Sequence, residues 1–364
     1  MNLRMKLPVV ADHRVVVSCG TCAFREECGG LDDQQSMWGC FSACSAECVT
    51  RGCDWTCPSS NSDFVERVRD VGGLSNRGLV LRPLASAELP SYVPMIHHGY
   101  GRGPDSDIRV DAHVAAISIK DVFRARADGR LEVVAEDGRL LRRRFGLRDD
   151  AKVLLVCVAD DRPLERYWAH RVLDGIPGRL TQLDLLGVTL PNFSFFTDAP
   201  RTHTMWNRRR MLRTGEELSS RGLPVVPHLN ALTTEDWRFW KEFLIAHPEI
   251  SVVAKEFQTG LREKKKAATA ISALRALQDD VGRPLRLIAI GATQYIDKLR
   301  RAVGSVTFVD SGPFIRAMKR RARVPHAGPP RWRTVSTTSG SEVLDLLNGN
   351  IRAHAAFISR ALRG

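Results

Sequence analysis

Short apolar runs recur along the chain from Ser91 onward, and each is followed by a polar loop and a stretch with helical periodicity. Runs that are apolar throughout are typical of strands buried on both faces, and their alternation with helices predicts a parallel α/β sheet. Eight such runs fit a TIM-like (β/α)8 barrel. An open doubly wound sheet is the alternative, but no G-x-G-x-x-G motif follows a strand to support a dinucleotide fold. The predicted strands are SYVPMI (91–96), VAAISI (114–119), KVLLVCVA (152–159), VTLPNFSFF (188–196), LPVVPHL (223–229), ISVVAKEF (250–257), LRLIAIG (285–291) and SVTFVD (305–310).

The helical segments between the strands carry their own boundary signals. TTEDWRFWKEFLIAHP and KKKAATAISALRALQDDVG combine helical periodicity with N-cap residues or a closing glycine. The stretch SEVLDLLNGNIRAHAAFISRAL predicts an amphipathic helix at the C-terminal end. We therefore expect a cysteine-rich module at 1–60, a linker at 61–90, the barrel at 91–335 and a C-terminal helix at 336–364.

Polar residues follow the ends of the predicted strands. In a barrel the carboxyl ends of the strands meet at one face, where the active site is built, so these residues are candidates for chemistry. Any one of them could instead cap the following helix, as Asp160 and Asp161 illustrate. Asp310 ends the last strand and is a candidate catalytic residue. The candidate substrate-binding residues are Asn192, His228, Asn230, Lys255, Glu256, Gln258 and Gly291.

Composition narrows the class of protein. Hydrophobic residues make up 43% and charged residues 26% of the 364 residues, which excludes a disordered chain. No run of about 18 apolar residues is present, so we expect no membrane-spanning helix and no membrane partner. The first residues lack the pattern of a signal peptide because Pro8 interrupts their short apolar patch. A cytoplasmic location is the resulting expectation.

Eight of the nine cysteines lie within one short window. In a reducing compartment, clustered thiols are more often metal ligands than disulfides. Two sets of four thiolates could each hold one zinc ion or one [4Fe–4S] cluster, and the sequence leaves both open. The metal could serve only to hold a short segment folded. The candidate ligands are Cys19, Cys22, Cys28, Cys40, Cys44, Cys48, Cys53 and Cys57.

The first three cysteines, in CGTCAFREECGG, resemble the Cys-x2-Cys-x5-Cys-Gly-Gly stretch of auxiliary iron–sulfur domains in some radical enzymes, which favours iron–sulfur over zinc. The radical S-adenosylmethionine signature, Cys-x3-Cys-x2-Cys, is not matched. Cys40, Cys44 and Cys48 are instead separated by three residues each. A disulfide framework is a further alternative.

Residues 187–230 resemble an uncharacterised family of phage and mobile-element proteins. The shared pattern runs Gly-Val-x-x-Pro-Asp-Phe-Ser, then a Pro, a Trp and an Arg pair, and later Gly-x-x-Val-x-Pro. Asn192 replaces the usual Asp of that pattern. The resemblance implies a mobile-element context without fixing an activity. The matching residues are Pro191, Phe193, Ser194, Pro200, Trp206, Asn207, Arg208, Arg210, Gly222 and Pro227.

The stretch IAIGATQYIDKLRRAVGSVTFVDSGPF is similar to the end of the tRNA-guanine transglycosylase barrel and of its relatives, including phage 7-deazaguanine DNA transglycosylases. On that resemblance Gly291 matches the glycine that ends one strand, and Asp310 matches the nucleophile that ends the next. It implies that a carboxylate attacks the anomeric carbon while a base departs, and that an incoming base captures the intermediate. A second carboxylate would assist proton transfer, and Asp198 is the candidate. The family's Cys-x-Cys-x2-Cys zinc site has no counterpart here.

Basic residues are concentrated in two blocks beside tryptophans. The chain carries 54 Lys and Arg against 41 Asp and Glu, a net charge of +13, and no acid lies between Asp310 and Glu342. Arginine and lysine could neutralise phosphates while tryptophan stacks on an unpaired base, although a solvated basic surface is the alternative. The predicted nucleic-acid-binding residues are Trp206, Arg208, Arg209 and Arg210 in one block, and Arg316, Lys319, Arg320, Arg321, Arg323 and Trp332 in the other.

Three functions are consistent with these observations. The first is a nucleic-acid base-modifying enzyme, such as a base-exchanging transferase, that acts on DNA or RNA together with a small base or nucleotide-like molecule. The second is an iron–sulfur or radical enzyme with a catalytic cluster. The third is a mobile-element protein that binds nucleic acid without chemistry.

Overall fold

The computed structural model describes residues 56, 64–76, 78–98, 109–196, 199, 201–258, 260–261, 263–324, 330–337 and 340–363. Two groups of four parallel strands form the centre of the fold, and two antiparallel hairpins lie beside them. The strands are β1 (Tyr92–Pro94), β2 (Val114–Ser118), β3 (Phe123–Ala125), β4 (Leu131–Val133), β5 (Lys152–Val156), β6 (Leu185–Thr189), β7 (Val225–Val226), β8 (Val252–Glu256), β9 (Arg286–Ile290), β10 (Ser305–Asp310), β11 (Arg321–Val324) and β12 (Arg331–Thr334).

Helices separate most of the parallel strands. Gly282, with φ +69°, ends the long helix after β8 in the left-handed conformation that its sequence predicts. The helices are α1 (Phe64–Asp70), α2 (Ile119–Val122), α3 (Gly138–Phe145), α4 (Asp161–His170), α5 (Ile176–Thr181), α6 (Arg201–Ser219), α7 (Thr234–Ala246), α8 (Lys264–Val281), α9 (Ile296–Leu299), α10 (Gly312–Met318) and α11 (Gly340–Arg363).

The parallel strands close into a ring. One sheet has the order β1-β10-β9-β8 and the other β2-β5-β6-β7. A bridge between Met95 and Ala116 joins β1 to β2, and a bridge between His228 and Ala254 joins β7 to β8. The predicted parallel α/β fold is confirmed, and its strand pairing is that of an eight-stranded (β/α)8 barrel.

Alternate residues of the eight strands fill the interior of the ring. Val93, Val156, Val252 and Ile288, with neighbours from the other strands, belong to one continuous buried core. Leu84 and Leu89 belong to the same core, so the segment before β1 closes one end of the barrel.

The expected linker at 61–90 is therefore wrong. The segment contains helix α1, and its later half contributes apolar side chains to the barrel core. Leu84 donates its backbone N–H to the carbonyl of Val225, which fixes this segment beside β7. The barrel unit therefore begins where apolar side chains enter its core, and not where the amino-acid composition of the sequence changes.

Two strands differ most in extent from their predictions. β6 spans Leu185–Thr189 instead of 188–196, and β7 contains only Val225–Val226 of the predicted 223–229. Pro191 has no N–H to donate to a neighbouring strand, so pairing ends before it. The hairpins β3–β4 and β11–β12 were not predicted.

The described chain divides into two compact units. The barrel unit contains Leu79–Asn192, Thr214–Leu229 and Phe239–Gly364. The second unit contains the described residues among the first 78, together with Phe193–Arg213 and Asn230–Arg238.

Candidate active site

Four polar side chains face the interior of the barrel at the carboxyl ends of its strands. Residues that pair across parallel strands point to the same face of the sheet, so a polar residue paired with a core residue also faces inward. The four pairs are Ser118 with Val156, Thr189 with Val226, His228 with Ala254, and Glu256 with Ile290. They form a polar layer above the apolar part of the core, at the end where barrel enzymes place their chemistry.

Glu256 and His228 are the titratable members of this layer. Their exposed fractions are 8% and 1%. The backbone N–H of Gln258 donates to Oε1 of Glu256 at 2.7 Å, which holds the carboxylate at the end of β8. Glu256 and His228 lie at the adjacent strand ends of β8 and β7, so a carboxyl group and an imidazole face the same end of the barrel interior.

The hydroxyls of the layer differ in their hydrogen bonding. Thr189 accepts the backbone N–H of Cys157 at 2.9 Å and is fully buried. The Oγ of Ser118 is also buried, and within the described part of the chain no hydrogen-bond partner reaches it. Burying a hydroxyl without a partner costs free energy, so Ser118 is a group that a ligand at the mouth could satisfy.

Asp310, the predicted nucleophile, faces away from the barrel interior. Its neighbour Val309 pairs with core residues on both sides, so the side chain of Asp310 points to the opposite face. Oδ1 accepts the backbone N–H of Gly312 at 2.7 Å, and Oδ2 accepts the hydroxyl of Thr293 at 3.3 Å. Burial raises the pKa of this carboxyl, but His354 and Gly312 outweigh it and hold the pKa below its usual value.

His354 of α11 connects Asp310 to the hairpin β11–β12. Nε2 of His354 lies 3.2 Å from Oδ2 of Asp310, and Nδ1 lies 2.6 Å from Nη1 of Arg323. A guanidinium can only donate, so Nδ1 accepts and the imidazole proton resides on Nε2, toward the carboxylate. With His354 only 2% exposed, Asp310 and His354 attach α11 and Arg323 to the end of β10. The predicted catalytic role of Asp310 is not supported by this orientation.

The other predicted substrate-binding residues have backbone partners or belong to the second unit. Lys255 is buried, and its Nζ donates to the carbonyl of Leu229 at 2.8 Å. Asn192 donates its backbone N–H to Cys157 at 3.0 Å. The side-chain amide of Asn230, in the second unit, donates to the carbonyl of Phe193 at 3.0 Å.

Gly291 is required at the end of β9 for a steric reason. Its φ of +66° is in the left-handed region, and a Cβ there would lie 2.3 Å from Cγ of Gln258. Only glycine combines that backbone conformation with such a close neighbour. Gly291 therefore allows Gln258 to pack against the rim and contributes no functional group.

Some predicted site residues lie outside the described residues. These are Asp198 and the eight cysteines Cys19, Cys22, Cys28, Cys40, Cys44, Cys48, Cys53 and Cys57. Within the described part, no group of three or more His, Cys, Asp or Glu side chains could hold a metal ion.

The first predicted nucleic-acid block is buried in the second unit, so its assignment to an exposed basic face is wrong. The exposed fractions of Arg208, Arg209 and Arg210 are 3%, 7% and 2%, and that of Trp206 is 7%. Buried arginines need compensating groups, because desolvating a charge is costly. The sequence contains a signal for this arrangement, since Arg201 and Arg208 are seven residues apart and therefore share one helix face.

Asp236 is the carboxylate that compensates this block. It is fully buried, and its Oδ1 accepts hydrogen bonds from Arg201 and, at 3.1 Å, from Arg208. Oδ2 accepts the backbone N–H of Leu232 at 2.9 Å and that of Thr233 at 3.1 Å. Burial raises the pKa of Asp236, but the two arginines outweigh it and the carboxylate stays ionised at neutral pH.

Aromatic rings enclose Arg210, another arginine of the block. The guanidinium of Arg210 lies 4.0 Å from the ring centroid of Phe193 and 3.9 Å from that of Trp206. These stacking distances are typical of cation–π contacts. Phe193, Trp206 and Arg210, which belong to the segment that resembles the mobile-element family, therefore pack against one another.

His203 contributes to the same unit as a neutral residue. Burial, together with Arg210 and Arg67, lowers its pKa to about 4. Its Nδ1 accepts the backbone N–H of Thr56 at 3.1 Å, and the hydroxyl of Thr202 donates to the carbonyl of Thr56 at 2.5 Å. Thr56 directly precedes Cys57, so the end of the cysteine-rich segment is attached to α6.

The second basic block forms an exposed surface on the barrel unit. In the hairpin β11–β12, Ala322 pairs with Arg333 and Val324 with Arg331, which places these four residues on one face. Arg321 is exposed on the other face of the hairpin. The exposed cations on and beside the hairpin are Lys319, Arg320, Arg321, Arg331 and Arg333, and we call them the basic rim.

Trp332 belongs to the opposite face of the hairpin, together with Arg323. Its half-buried ring has Arg316 at 5.7 Å and Arg323 at 5.9 Å from the centroid. Arg323 also lies 4.8 Å from the ring of Phe357 in α11. Trp332 is thus on the face that packs toward α11, so it is less available for stacking than its sequence position predicts.

His97 and Asp121 form a pair that the sequence analysis did not single out. Nδ1 of His97 lies 2.9 Å from Oδ2 of Asp121. His97 follows β1, and Asp121 lies in α2 directly after β2. The sequence signal that could have identified this pair is the position of each residue just after a strand, since the carboxyl ends of neighbouring strands come together in a barrel.

Among the helices that the structure describes, none is both long enough and apolar enough to cross a membrane.

Comparison with known proteins leaves the family open. No family model matches the chain, and no curated protein matches its sequence. One similar solved structure is tryptophan synthase from M. tuberculosis in its open form with BRD0059 bound, at 12% identity and a TM-score of 0.29, covering 73% of this chain and 92% of that chain. The aminoacrylate-bound form of tryptophan synthase is also 12% identical with a TM-score of 0.29, covering 74% and 94%. Likenesses this low carry no argument about the function of the chain.

Proposed function

We propose that the protein is a base-modifying enzyme that exchanges a base in DNA or RNA at the mouth of the barrel. The observation that carries the proposal is the polar layer at the carboxyl ends of the strands, in which Glu256 and His228 face the interior. Catalytic groups of (β/α)8 barrels come from these positions. The similarity of the last two strands to transglycosylases supports the reaction class. Because the side chain of Asp310 faces away from the interior, we assign the role of the nucleophile to Glu256 instead.

Glu256 is positioned to act as the nucleophile. Its carboxylate attacks the anomeric carbon of the target nucleotide, the bond to the base breaks, and a glycosyl ester forms. An incoming base then attacks the same carbon and releases the carboxylate. His228 and Ser118 are placed to orient the sugar or the base by hydrogen bonding. A target base in a duplex has to be flipped out to reach a layer this deeply buried.

The basic rim supports nucleic acid as the substrate. Arg323 of the hairpin bonds His354, which faces Asp310 at the carboxyl end of β10, so the hairpin is attached to the same end of the barrel as Glu256. Exposed guanidinium and ammonium groups neutralise phosphates and release counterions. The basic rim would therefore hold the backbone while a base enters the mouth.

Replacing Arg331 and Arg333 together with glutamine should weaken binding to a single-stranded oligonucleotide. Each lost phosphate contact makes the dependence of log affinity on log salt shallower by roughly 0.7. The matched control replaces Arg143 and Arg144, which are exposed on α3 in the helix that leads into the amino end of β5. Fluorescence anisotropy across a salt series measures both variants. Equal losses in the two variants would mean that only net charge matters.

The direct test compares nucleosides from cells that express the protein with those from cells that do not. Mass spectrometry should detect a base that is present only with the protein. Salt-sensitive binding without any altered base would instead support a non-catalytic nucleic-acid-binding protein.

We also propose that the eight cysteines hold a structural metal, as zinc or as iron–sulfur clusters. The proposal rests on the clustering of eight thiols in one short window, and Thr56, within that window, is hydrogen-bonded to Thr202 and His203 of α6. Metal analysis of anaerobically purified protein should find bound zinc or iron, and replacing Cys22 with serine should reduce it. A visible absorption band together with bound iron would identify an iron–sulfur cluster. If activity also depends on the redox state of that cluster, the result would favour the iron–sulfur enzyme. Protein without bound metal would contradict the proposal.

A further inference from the structure

The pair His97–Asp121 lies among the loops that follow three neighbouring strands. His97 comes after β1, Asp121 comes after β2, and the ring of Phe314, after β10, lies 5.6 Å from the ring of His97. Because β2 and β10 flank β1 in the barrel, His97 lies on the carboxyl-end rim. It lies two residues beyond Met95, which belongs to the barrel core and bridges to Ala116 of β2.

The hydrogen bond to Asp121 fixes the state of the imidazole. An ionised carboxylate only accepts, so Nδ1 of His97 carries a proton and Nε2 is the nitrogen left to exchange one. The side chain of His97 is 19% exposed and that of Asp121 is 21% exposed, so the pair is accessible at the rim. His354 differs, because both of its ring nitrogens lie against charged groups and its exposed fraction is 2%.

We infer that His97, positioned by Asp121, transfers the proton at the barrel mouth, an inference that rests on the proposed base exchange. In the first half-reaction, Glu256 forms its bond to the anomeric carbon, the bond from that carbon to the base breaks, and protonated His97 gives its Nε2 proton to the departing base. In the second half-reaction, the incoming base loses an N–H proton to Nε2 as it bonds to the carbon and releases Glu256. One proton passes from the incoming to the departing base, and no oxidant or reductant is needed. Asp121 is a positioning residue that stabilises the imidazolium.

The activity test compares variants of this pair with a neighbouring histidine. His97→Ala should lower base exchange by about 100-fold or more, and added imidazole should restore part of it because the side chain leaves an accessible space. Asp121→Asn should lower the rate by roughly 10-fold or more. His98→Gln is the matched control and should retain activity. Full activity in His97→Ala, or a loss that imidazole does not restore in folded protein, would overturn the inference.

A second measurement does not require activity. Diethyl pyrocarbonate modifies unprotonated imidazole nitrogens, so His97, which is less exposed than His98 and whose Nδ1 is bound to Asp121, should react more slowly than His98. Burial lowers the pKa of His98, which keeps that imidazole unprotonated. Asp121→Asn should speed the reaction at His97, because it removes the carboxylate that stabilises the imidazolium. Peptide mass spectrometry measures both rates. Equal rates at both histidines, or no effect of Asp121→Asn, would contradict the proposed state of His97.

The two proposals fail in different ways. Loss of activity in Glu256→Gln with full activity in His97→Ala would remove the proton-transfer role and keep the enzyme. Full activity in Glu256→Gln would instead remove the proposed reaction at the barrel mouth.

Discussion

Replacing Glu256 with glutamine should lower base exchange by roughly 100- to 10,000-fold, because the change removes the inward-facing carboxylate at the end of β8. Glutamine has nearly the same volume and keeps a carbonyl oxygen that can accept the N–H of Gln258, so the strand end should stay folded. The change in nucleoside composition, together with single-turnover exchange of a labelled base, measures the effect. Oligonucleotide affinity should change little, since the basic rim is untouched.

Asp310→Asn is the informative comparison for this variant. The carboxylate of Asp310 faces away from the interior and bonds Gly312 and Thr293, so its loss should cost less activity than the loss of Glu256. A thermal melt records any weakening of the attachment of α11. If Asp310→Asn abolishes exchange while Glu256→Gln retains it, the nucleophile is the residue that sequence similarity alone predicts, and our assignment is wrong.

Replacing Asp236 with asparagine should reduce the free energy of unfolding by about 3–5 kcal/mol. The carboxylate is fully buried and bonds both Arg201 and Arg208, so the variant leaves two buried guanidinium groups without their anion. The lost backbone interactions with Leu232 and Thr233 would add to the effect. Urea unfolding followed by circular dichroism measures the change.

The matched control for Asp236 is Asp280→Asn. Asp280 is exposed and lies 3.2 Å from Lys241 in a surface ion pair. Exposed pairs contribute about 0–1 kcal/mol, so this variant should unfold near the wild-type urea concentration. Similar behaviour of the two variants would mean that the arginine cluster is solvated in solution.

The strand pattern was readable from the sequence because a buried parallel strand has to be apolar throughout. The runs at 152–159, 250–257, 285–291 and 305–310 all contain strands of the barrel. The segment around Leu84 and Leu89 was misread, since its leucines fill a barrel interior that does not exist until eight strands are assembled.

The candidate site was only partly readable. The sequence predicts Glu256 and His228 as site residues because they lie at strand ends. It predicts Asp310 for the same reason, although the side chain of Asp310 faces outward. Inward or outward orientation depends on the register of neighbouring strands, and a shift of one residue reverses it.

The arginines also show which features can be predicted from the sequence and which depend on the tertiary structure. Composition alone establishes an excess of positive charge, a chain able to bury a core, and two blocks where basic residues gather. Tertiary structure decides that Arg208 and Arg210 are buried against Asp236 and aromatic rings, whereas Arg331 and Arg333 stay exposed on a hairpin. The reason is physical: a charge enters the interior only where a distant segment supplies a counter-charge or a ring, and sequence neighbours do not reveal that partner.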